Sequence, residues 1–216
     1  MSENNHQNTT LLLVRHGETA ANASGTWQGA TNSALNERGQ IQAQAIAARL
    51  AGDDLSVTAM YSSPLGRATQ TAQTIAQAIE NPPLELEPAL AEFNLGDWEG
   101  LTYEALRFEK RLWEQMAVDP NFRPPGGESA VEFAMRLVNA FQSIAALHPG
   151  ETVVVVSHGG AIATALAMLI QRDGSSWPQY QMANCGLTKL VFDPAPRLAF
   201  LNDTAHLDGI GAIAEW

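Results

Sequence analysis

Apolar positions along this chain fall into short unbroken runs separated by longer stretches with helical spacing. LLLVR at 11–15, VTAMY at 57–61 and TVVVV at 152–156 show no regular polar alternation, as expected of strands covered by helices on both faces. GLTKLVF at 186–192 predicts a fourth strand, and PRLAFLNDTAHL at 196–207 a last one, antiparallel at an edge. Between these runs, NERGQIQAQAIAARL puts Ile41, Ala45 and Ala48 on one helical face, and SSPLGRATQTAQTIAQAI does the same with Ala68, Ala72, Ile75 and Ile79. Ser63 is placed to cap that second helix with Pro64 in its first position, which brings Arg67 into the first turn. A third helix is expected from Ser129, where SAVE has the reciprocal Ser-x-x-Glu cap and Leu137, Phe141 and Ile144 follow on one face, to about HPG at 148–150. Strands alternating with helices, without internal repeats, predict an α/β domain with a largely parallel sheet.

One segment breaks the pattern. Residues 93–128 mix aromatic and charged side chains without a clear period and end in DPNFRPPGGE, which predicts a long exposed, lid-like loop. The 216 residues, 45% of them hydrophobic, suffice for one domain over 10–216, with 1–9 expected to be frayed. Against 12 Lys and Arg stand 23 Asp and Glu, a formal charge of -11 that disfavours nucleic acid and anionic membrane surfaces as partners. Cys185 is the lone cysteine, which excludes an internal disulfide and suits a reducing compartment. MSENNHQNTT lacks the basic start and apolar centre of a signal peptide, and no apolar run reaches transmembrane length, so a cytoplasmic protein is expected.

Against that acidic background, the basic residues at the strand ends stand out. Arg15 and His16 follow the first strand, Arg67 opens the helix after the second, and His158 follows VVVVS. Ligands of open α/β sheets bind outside the carboxyl ends of the strands, so neighbouring strands would bring these groups to one point. Helix starts after Ser63 and after HGG would aim backbone N–H groups there, with Gly17, Gly159 and Gly160 allowing close approach. Such a cluster suits a small anion with several charged oxygens, most simply a phosphoryl group. No H-x-H or HExxH spacing occurs, and two arginines beside a divalent cation are electrostatically awkward, so neither a metal nor another cofactor is expected. His6, His148 and His206 read as structural or solvated.

LLLVRHGETAAN, QGATNSALNERGQIQA, YSSPLGRATQTA, LAEFNLGDWEG, PPGGES and VVVVSHGGAI, in that order, resemble the motifs of the histidine phosphatase superfamily, the phosphoglycerate mutase-like proteins. The resemblance implies a three-layer α/β/α sandwich with a mostly parallel central sheet and metal-free phosphoryl transfer through a phosphohistidine. By position it implies His16 as nucleophile, Arg15, Arg67 and His158 as the phosphate pocket, Glu92 as proton donor, and Asn22 and Gly29 as further phosphate contacts. It also leaves a homodimer open. Ala21 and the stretch Asn32 to Leu35 depart from the family's usual Trp and Asp-x-Pro-Leu, which affects substrate contacts rather than the phosphate site; Trp27 and Gln28 are placed at the rim in their stead.

The chemistry agrees with those roles. A neutral imidazole on a rigid strand end is a nucleophile when a hydrogen bond to its other nitrogen aims it. Arginines give bidentate donors for the equatorial oxygens of a loose transition state. A carboxyl in the apolar setting of LAEFNLG can hold the proton that a leaving alkoxide needs. Three readings follow: a phosphatase of small phosphorylated metabolites, a phosphoglycerate mutase that returns the phosphoryl group to its substrate, and a non-catalytic phosphate-binding domain. The last is disfavoured because His16, Arg67, Glu92 and His158 are all present. The phosphatase is preferred over the mutase because 93–128 is not net basic, and because Glu99, Glu104 and Glu109, if they faced the pocket, would repel a substrate carboxylate. Trp98, Tyr103, Phe108, Trp113 and Phe122 suggest an apolar lid.

Overall fold

A six-stranded sheet runs through the middle of the computed structural model, which describes residues 8–53, 55–193 and 195–211. Its strands are β1 (Thr9–Arg15), β2 (Val57–Ser62), β3 (Leu84–Leu86), β4 (Thr152–Ser157), β5 (Leu187–Asp193) and β6 (Ala195–Asp203), in the order β3-β2-β4-β1-β5-β6. The first four in that order are parallel; β5 is antiparallel to β1, and β6 to β5. The helices are α1 (Ala20–Ala23), α2 (Glu37–Gly52), α3 (Gly66–Ala78), α4 (Leu112–Val118), α5 (Ala130–Leu147) and α6 (Gly159–Leu166). None among the described residues is long and apolar enough to cross a membrane.

Successive strand residues face opposite sides of a sheet, and each side here has its own core. Leu11, Leu13, Tyr61, Val153 and Val155 pack with Leu137 and Phe141 of α5 and Ile162 of α6. Leu12, Val14, Met60, Val154 and Val156 pack with Ile46 and Leu50 of α2 and Ala72 and Ile75 of α3. This double coverage explains why the strand sequences do not alternate, and it makes the three layers expected from the resemblance. Truncating a fully buried side chain such as Phe141 to Ala would cost about 3–5 kcal/mol.

Several expectations need correction. The buried stripe of α2 is Gly39, Ala43, Ile46, Ala47 and Leu50, not Ile41, Ala45 and Ala48; Ile41 is 51% exposed. Both stripes have helical spacing in this Ala-rich helix, and the one with two large aliphatic groups wins. Helix α3 starts at Gly66, with Leu65 rather than Ser63 in the cap position and no side-chain cap bond. The Gly66 N–H is instead taken by Asn32 Oδ1 at 2.6 Å, which gives one of the departures from the family pattern a structural role. Thr9 is not frayed: it opens β1, and its hydroxyl donates to the carbonyls of Ala145 and His148 at 3.0 and 2.9 Å. Residues 1–7, where His6 falls, lie outside the described residues.

The 93–128 segment is also more regular than a loop. It holds a 3-10 turn at Gly96–Trp98, a π-helical turn at Ala105–Glu109 and α4. Helix α5 begins as expected, with Ser129 and Glu132 closing the reciprocal cap.

Candidate active site

Register brings the strand ends together. β2, β4 and β1 are neighbours, Arg15 lies opposite Ser157, and Ser62 lies opposite Val156. The next residues along continue the ladder, since His16 N–H donates to Ser157 O and Ser63 N–H to Val156 O, both at 3.0 Å. His16 and His158 therefore meet edge to face, with ring centroids 5.1 Å apart.

His16 is aimed by its own loop. Its Nδ1 lies 2.7 Å from Gly17 O, and because a carbonyl only accepts, Nδ1 carries the proton and Nε2 the lone pair. That lone pair faces the Nε–H of Arg67 at 3.3 Å. Burial, reinforced by Arg67 and then Arg15, holds the His16 pKa well below the ordinary imidazole value, so the ring is neutral and nucleophilic at neutral pH. His158 is held neutral by the same causes, burial first. Its Nε2 is 2.7 Å from Ser63 Oγ, while its buried Nδ1 has no hydrogen-bond partner among the described residues.

Both arginines are buried and fixed by backbone carbonyls. Arg67 donates to Gly29 O and Thr31 O at 2.8 Å each, and Arg15 to Met182 O at 2.6 Å. Desolvation lowers each guanidinium pKa to about 10, which leaves both charged at neutral pH. Gly29 contributes its carbonyl to Arg67 at a left-handed φ of 53°, where a Cβ would also strike the Glu99 carboxylate.

Glu92, also buried and close enough to act electrostatically on both arginines, accepts the Phe93 N–H at 2.8 Å on Oε1 and the Gly160 N–H at 3.0 Å on Oε2. Burial raises its pKa above the ordinary carboxyl value, against the lowering effect of those N–H groups and of Arg67. A Cβ at 160 would lie 2.7 Å from Glu92 Oε1, so any other residue there would displace the carboxylate. The free N–H groups expected at the starts of α3 and α6 are thus already engaged at Gly66 and Gly160, by Asn32 and Glu92.

Asn22 lies near His16, since Asn184 Nδ2 reaches both His16 O at 3.0 Å and Asn22 Oδ1 at 3.4 Å. Asn22 Oδ1 also accepts from the Thr19 N–H and hydroxyl, at 3.2 and 3.0 Å, leaving a buried Asn22 Nδ2 donor with no partner among the described residues. His148 and His206 lie elsewhere: His148 bonds Tyr61 and Glu151, and His206 bonds Cys185 O.

Four supporting residues escaped the sequence reading. Ser63 bonds His158, and Asn184 holds His16 O at 3.0 Å. Arg136 of α5 donates to the carbonyls of Ala89, Ala91 and Glu92 at 2.9, 2.7 and 3.0 Å, and Glu128 pairs with it at 2.7 Å, so the two brace the turn that carries Glu92. A lone Arg on an amphipathic helix gives no sequence signal for such a role. Glu99 stays beside the cluster, accepting the Ala30 N–H at 2.7 Å and the Thr31 hydroxyl and acting electrostatically on Arg67, whereas Glu104 and Glu109 lie on the exposed surface.

Beyond Glu92 lies an apolar pocket of about 90 Å³, lined among others by Trp27, Phe93, Trp113, Met116, Phe133 and Trp177. Trp113, Met116 and Trp177 also border a wider pocket of about 800 Å³. Of the lid aromatics, Tyr103 and Trp113 face these pockets, Trp98 packs on Phe122 with centroids 5.9 Å apart, and Phe108 is 66% exposed. Trp27 thus lines the pocket, whereas Gln28 accepts from the Ser33 hydroxyl.

Residues 11–204 match the histidine phosphatase superfamily (branch 1). A protein of Erwinia tasmaniensis named probable phosphoglycerate mutase GpmB is 33% identical over 206 residues, covering 92% of this chain and 94% of that protein. Among solved structures, a phosphoserine phosphatase from Entamoeba histolytica superposes with a TM-score of 0.81 at 31% identity, over 92% of this chain and 99% of that one. A mycobacterial glucosyl-3-phosphoglycerate phosphatase does so with a TM-score of 0.76 at 30% identity, over 91% of this chain and 100% of that one. The chain therefore belongs to the histidine phosphatase superfamily, a group of enzymes that includes phosphatases and mutases.

Proposed function

We propose that the protein hydrolyses small phosphomonoesters through a phosphohistidine on His16. One observation carries the reading: the lone pair of a neutral, buried His16 Nε2 meets Arg67 beside a second buried guanidinium, Arg15, and both arginines feel Glu92, a carboxyl whose pKa burial has raised. Arg15, Arg67, His158, Asn22 and the backbone at Gly29 hold the phosphoryl oxygens. Nε2 attacks phosphorus as the bond to the ester oxygen breaks, and Glu92 delivers its proton to the departing alkoxide. Glu92, now ionised, takes a proton from the water that attacks the phosphohistidine, and inorganic phosphate leaves.

The test is to quench the enzyme during turnover and map the label. An acid-labile, alkali-stable phosphate on the peptide containing residue 16 is expected; label on a serine or a carboxylate would overturn the mechanism. Activity should survive exhaustive chelation.

The names of the Erwinia and Yersinia relatives favour a second reading, a phosphoglycerate mutase that keeps the phosphohistidine from water. The described lining of the inner pocket has no Lys or Arg, which supports the phosphatase, since none of those residues would hold the second anionic group of a bound intermediate. Incubation with 3-phosphoglycerate and a trace of 2,3-bisphosphoglycerate separates the two. The phosphatase releases free phosphate and forms little 2-phosphoglycerate, whereas a mutase equilibrates the isomers and releases almost none.

A further inference from the structure

The inner pocket shares its wall with the proton donor. Phe93 and Gly160, whose N–H groups fix the Glu92 carboxylate, are both lining residues of that pocket. Glu92 is not itself a lining residue, but both residues whose N–H groups hold its carboxylate are, so a leaving group that takes its proton has this pocket beside it. What it meets there is aromatic and aliphatic. Phe93 and Phe133 stack with centroids 4.8 Å apart, Trp27 meets Trp113 at 6.1 Å, and Tyr103 backs Trp113 at 4.8 Å. Among the described residues no charged side chain lines this space.

The wider pocket outside it adds Arg107, Glu114 and Asp173 to the lining. Glu114 is paired with Arg111, and Asp173 accepts from the backbone and hydroxyl of Ser175 at 2.9 and 2.7 Å. One cation beside two carboxylates does not make an anion site. A carboxylate or ammonium on the leaving group would be taken out of water without a partner, whereas an alkyl or aryl group would exchange water for ring faces.

We infer that the pocket selects an uncharged, apolar leaving group, so that the preferred substrates are phosphomonoesters of alkyl or aryl alcohols rather than of amino acids or sugar acids. The assignment deepens the phosphatase reading and rests on it.

The test uses the full-length enzyme with methyl, butyl and hexyl phosphate, whose alcohols ionise alike, together with phosphoserine and 3-phosphoglycerate. For each, kcat/KM for phosphate release is measured. A rise of roughly threefold per methylene is expected until the pocket is full, with hexyl phosphate at least about tenfold better than either charged substrate. Trp113→Ala should flatten the dependence on chain length, and Met116→Lys should move the ratio of hexyl phosphate to 3-phosphoglycerate toward the acid. If phosphate is released but the alkyl series is flat, or a charged substrate equals hexyl phosphate, the pocket assignment is overturned and the phosphatase reading stands. A chain-length dependence that both variants leave intact also overturns it. If no ester releases phosphate, the phosphatase reading itself fails, and the inference with it.

Discussion

The two ends of the cleft are built on opposite principles. At the strand ends, charged and titratable side chains are buried and fixed by main-chain atoms: Arg67 by the carbonyls of Gly29 and Thr31, Arg15 by that of Met182, His16 by Gly17 O and Glu92 by two N–H groups. At the lid end, rings and a methionine line a space whose inner part has no charged lining residue among the described residues. Backbone bonds tolerate little displacement, so the first end suits chemistry that depends on position. Ring contacts are non-directional, so the second suits selection by size and polarity. In the proposed mechanism, catalysis and choice of substrate rest on separate sets of atoms, with Glu92 held between them by the N–H groups of Phe93 and Gly160.

That division can be broken at graded strengths. His16→Ala removes the nucleophile and should lower turnover by at least about ten-thousandfold, while circular dichroism shows the fold retained. Glu92→Gln should slow alkyl phosphates by about 10²–10⁴-fold but nitrophenyl phosphate much less, because that leaving group needs little help from a proton. Equal losses for both substrates would reduce Glu92 to a structural residue. Arg67→Lys keeps the charge but loses the fork that reaches both Gly29 O and Thr31 O, and a loss of about 10²–10³ in kcat is expected.

Arg136→Lys tests whether the turn bearing Glu92 is held from α5. A loss of roughly tenfold is expected for alkyl phosphates, with nitrophenyl phosphate nearly spared, the pattern of Glu92→Gln in milder form. Rates of both substrates falling together would point to general loosening. The pH profile supplies a finer test. Turnover needs His16 neutral and Glu92 protonated; the acid limb should fall below the ordinary imidazole value and the alkaline limb above the ordinary carboxyl value, and Glu92→Gln should erase the alkaline limb.

Stability should respond least, and with a definite sign. The unfolded chain protonates His16 and His158 near pH 6.5 while the folded chain refuses those protons, so stability is lost as pH falls from about 6.5 toward their depressed values, by about 1.4 kcal/mol per pH unit for each group. Glu92 acts oppositely between 4.5 and its raised value, where the folded state holds the extra proton. Denaturant titrations across this range should show a shallower acid slope for His16→Ala than for the native chain.

Much of this arrangement was legible in the sequence, for identifiable reasons. The strand runs could be read because both faces of the central strands are buried, and Arg15, His16 and His158 because they follow those runs directly. Strand β3 was missed: it has three residues, two of them exposed, and no pattern to show. Ser63 looked like a helix cap because its chemistry suits one, but its hydroxyl is engaged by His158, a contact made by the order of β2 and β4 rather than by local spacing. The helical turns of 93–128 were hidden by aromatic and charged residues that face several directions. Arg136 and Glu128 act through carbonyls more than forty residues away in the case of Arg136, and a carbonyl leaves no mark on the side-chain sequence.

The two ends of the lid segment touch. Asn94 N–H donates to Glu128 Oε1 at 2.9 Å, Glu128 N–H returns a bond to Asn94 O at 3.0 Å, and Asp97 N–H reaches Pro125 O at 2.8 Å. Everything between them is a loop closed at its neck, and the entropy of closing such a loop changes slowly with its length. Between those neck bonds the segment is also laced to residues 25–31: Trp27 N–H donates to Leu101 O and Gly100 N–H to Trp27 O, both at 2.9 Å, and Tyr103 N–H to Gly25 O at 3.1 Å. The lid is thus sewn along two edges, at its neck and to the stretch whose Gly29 and Thr31 carbonyls hold Arg67.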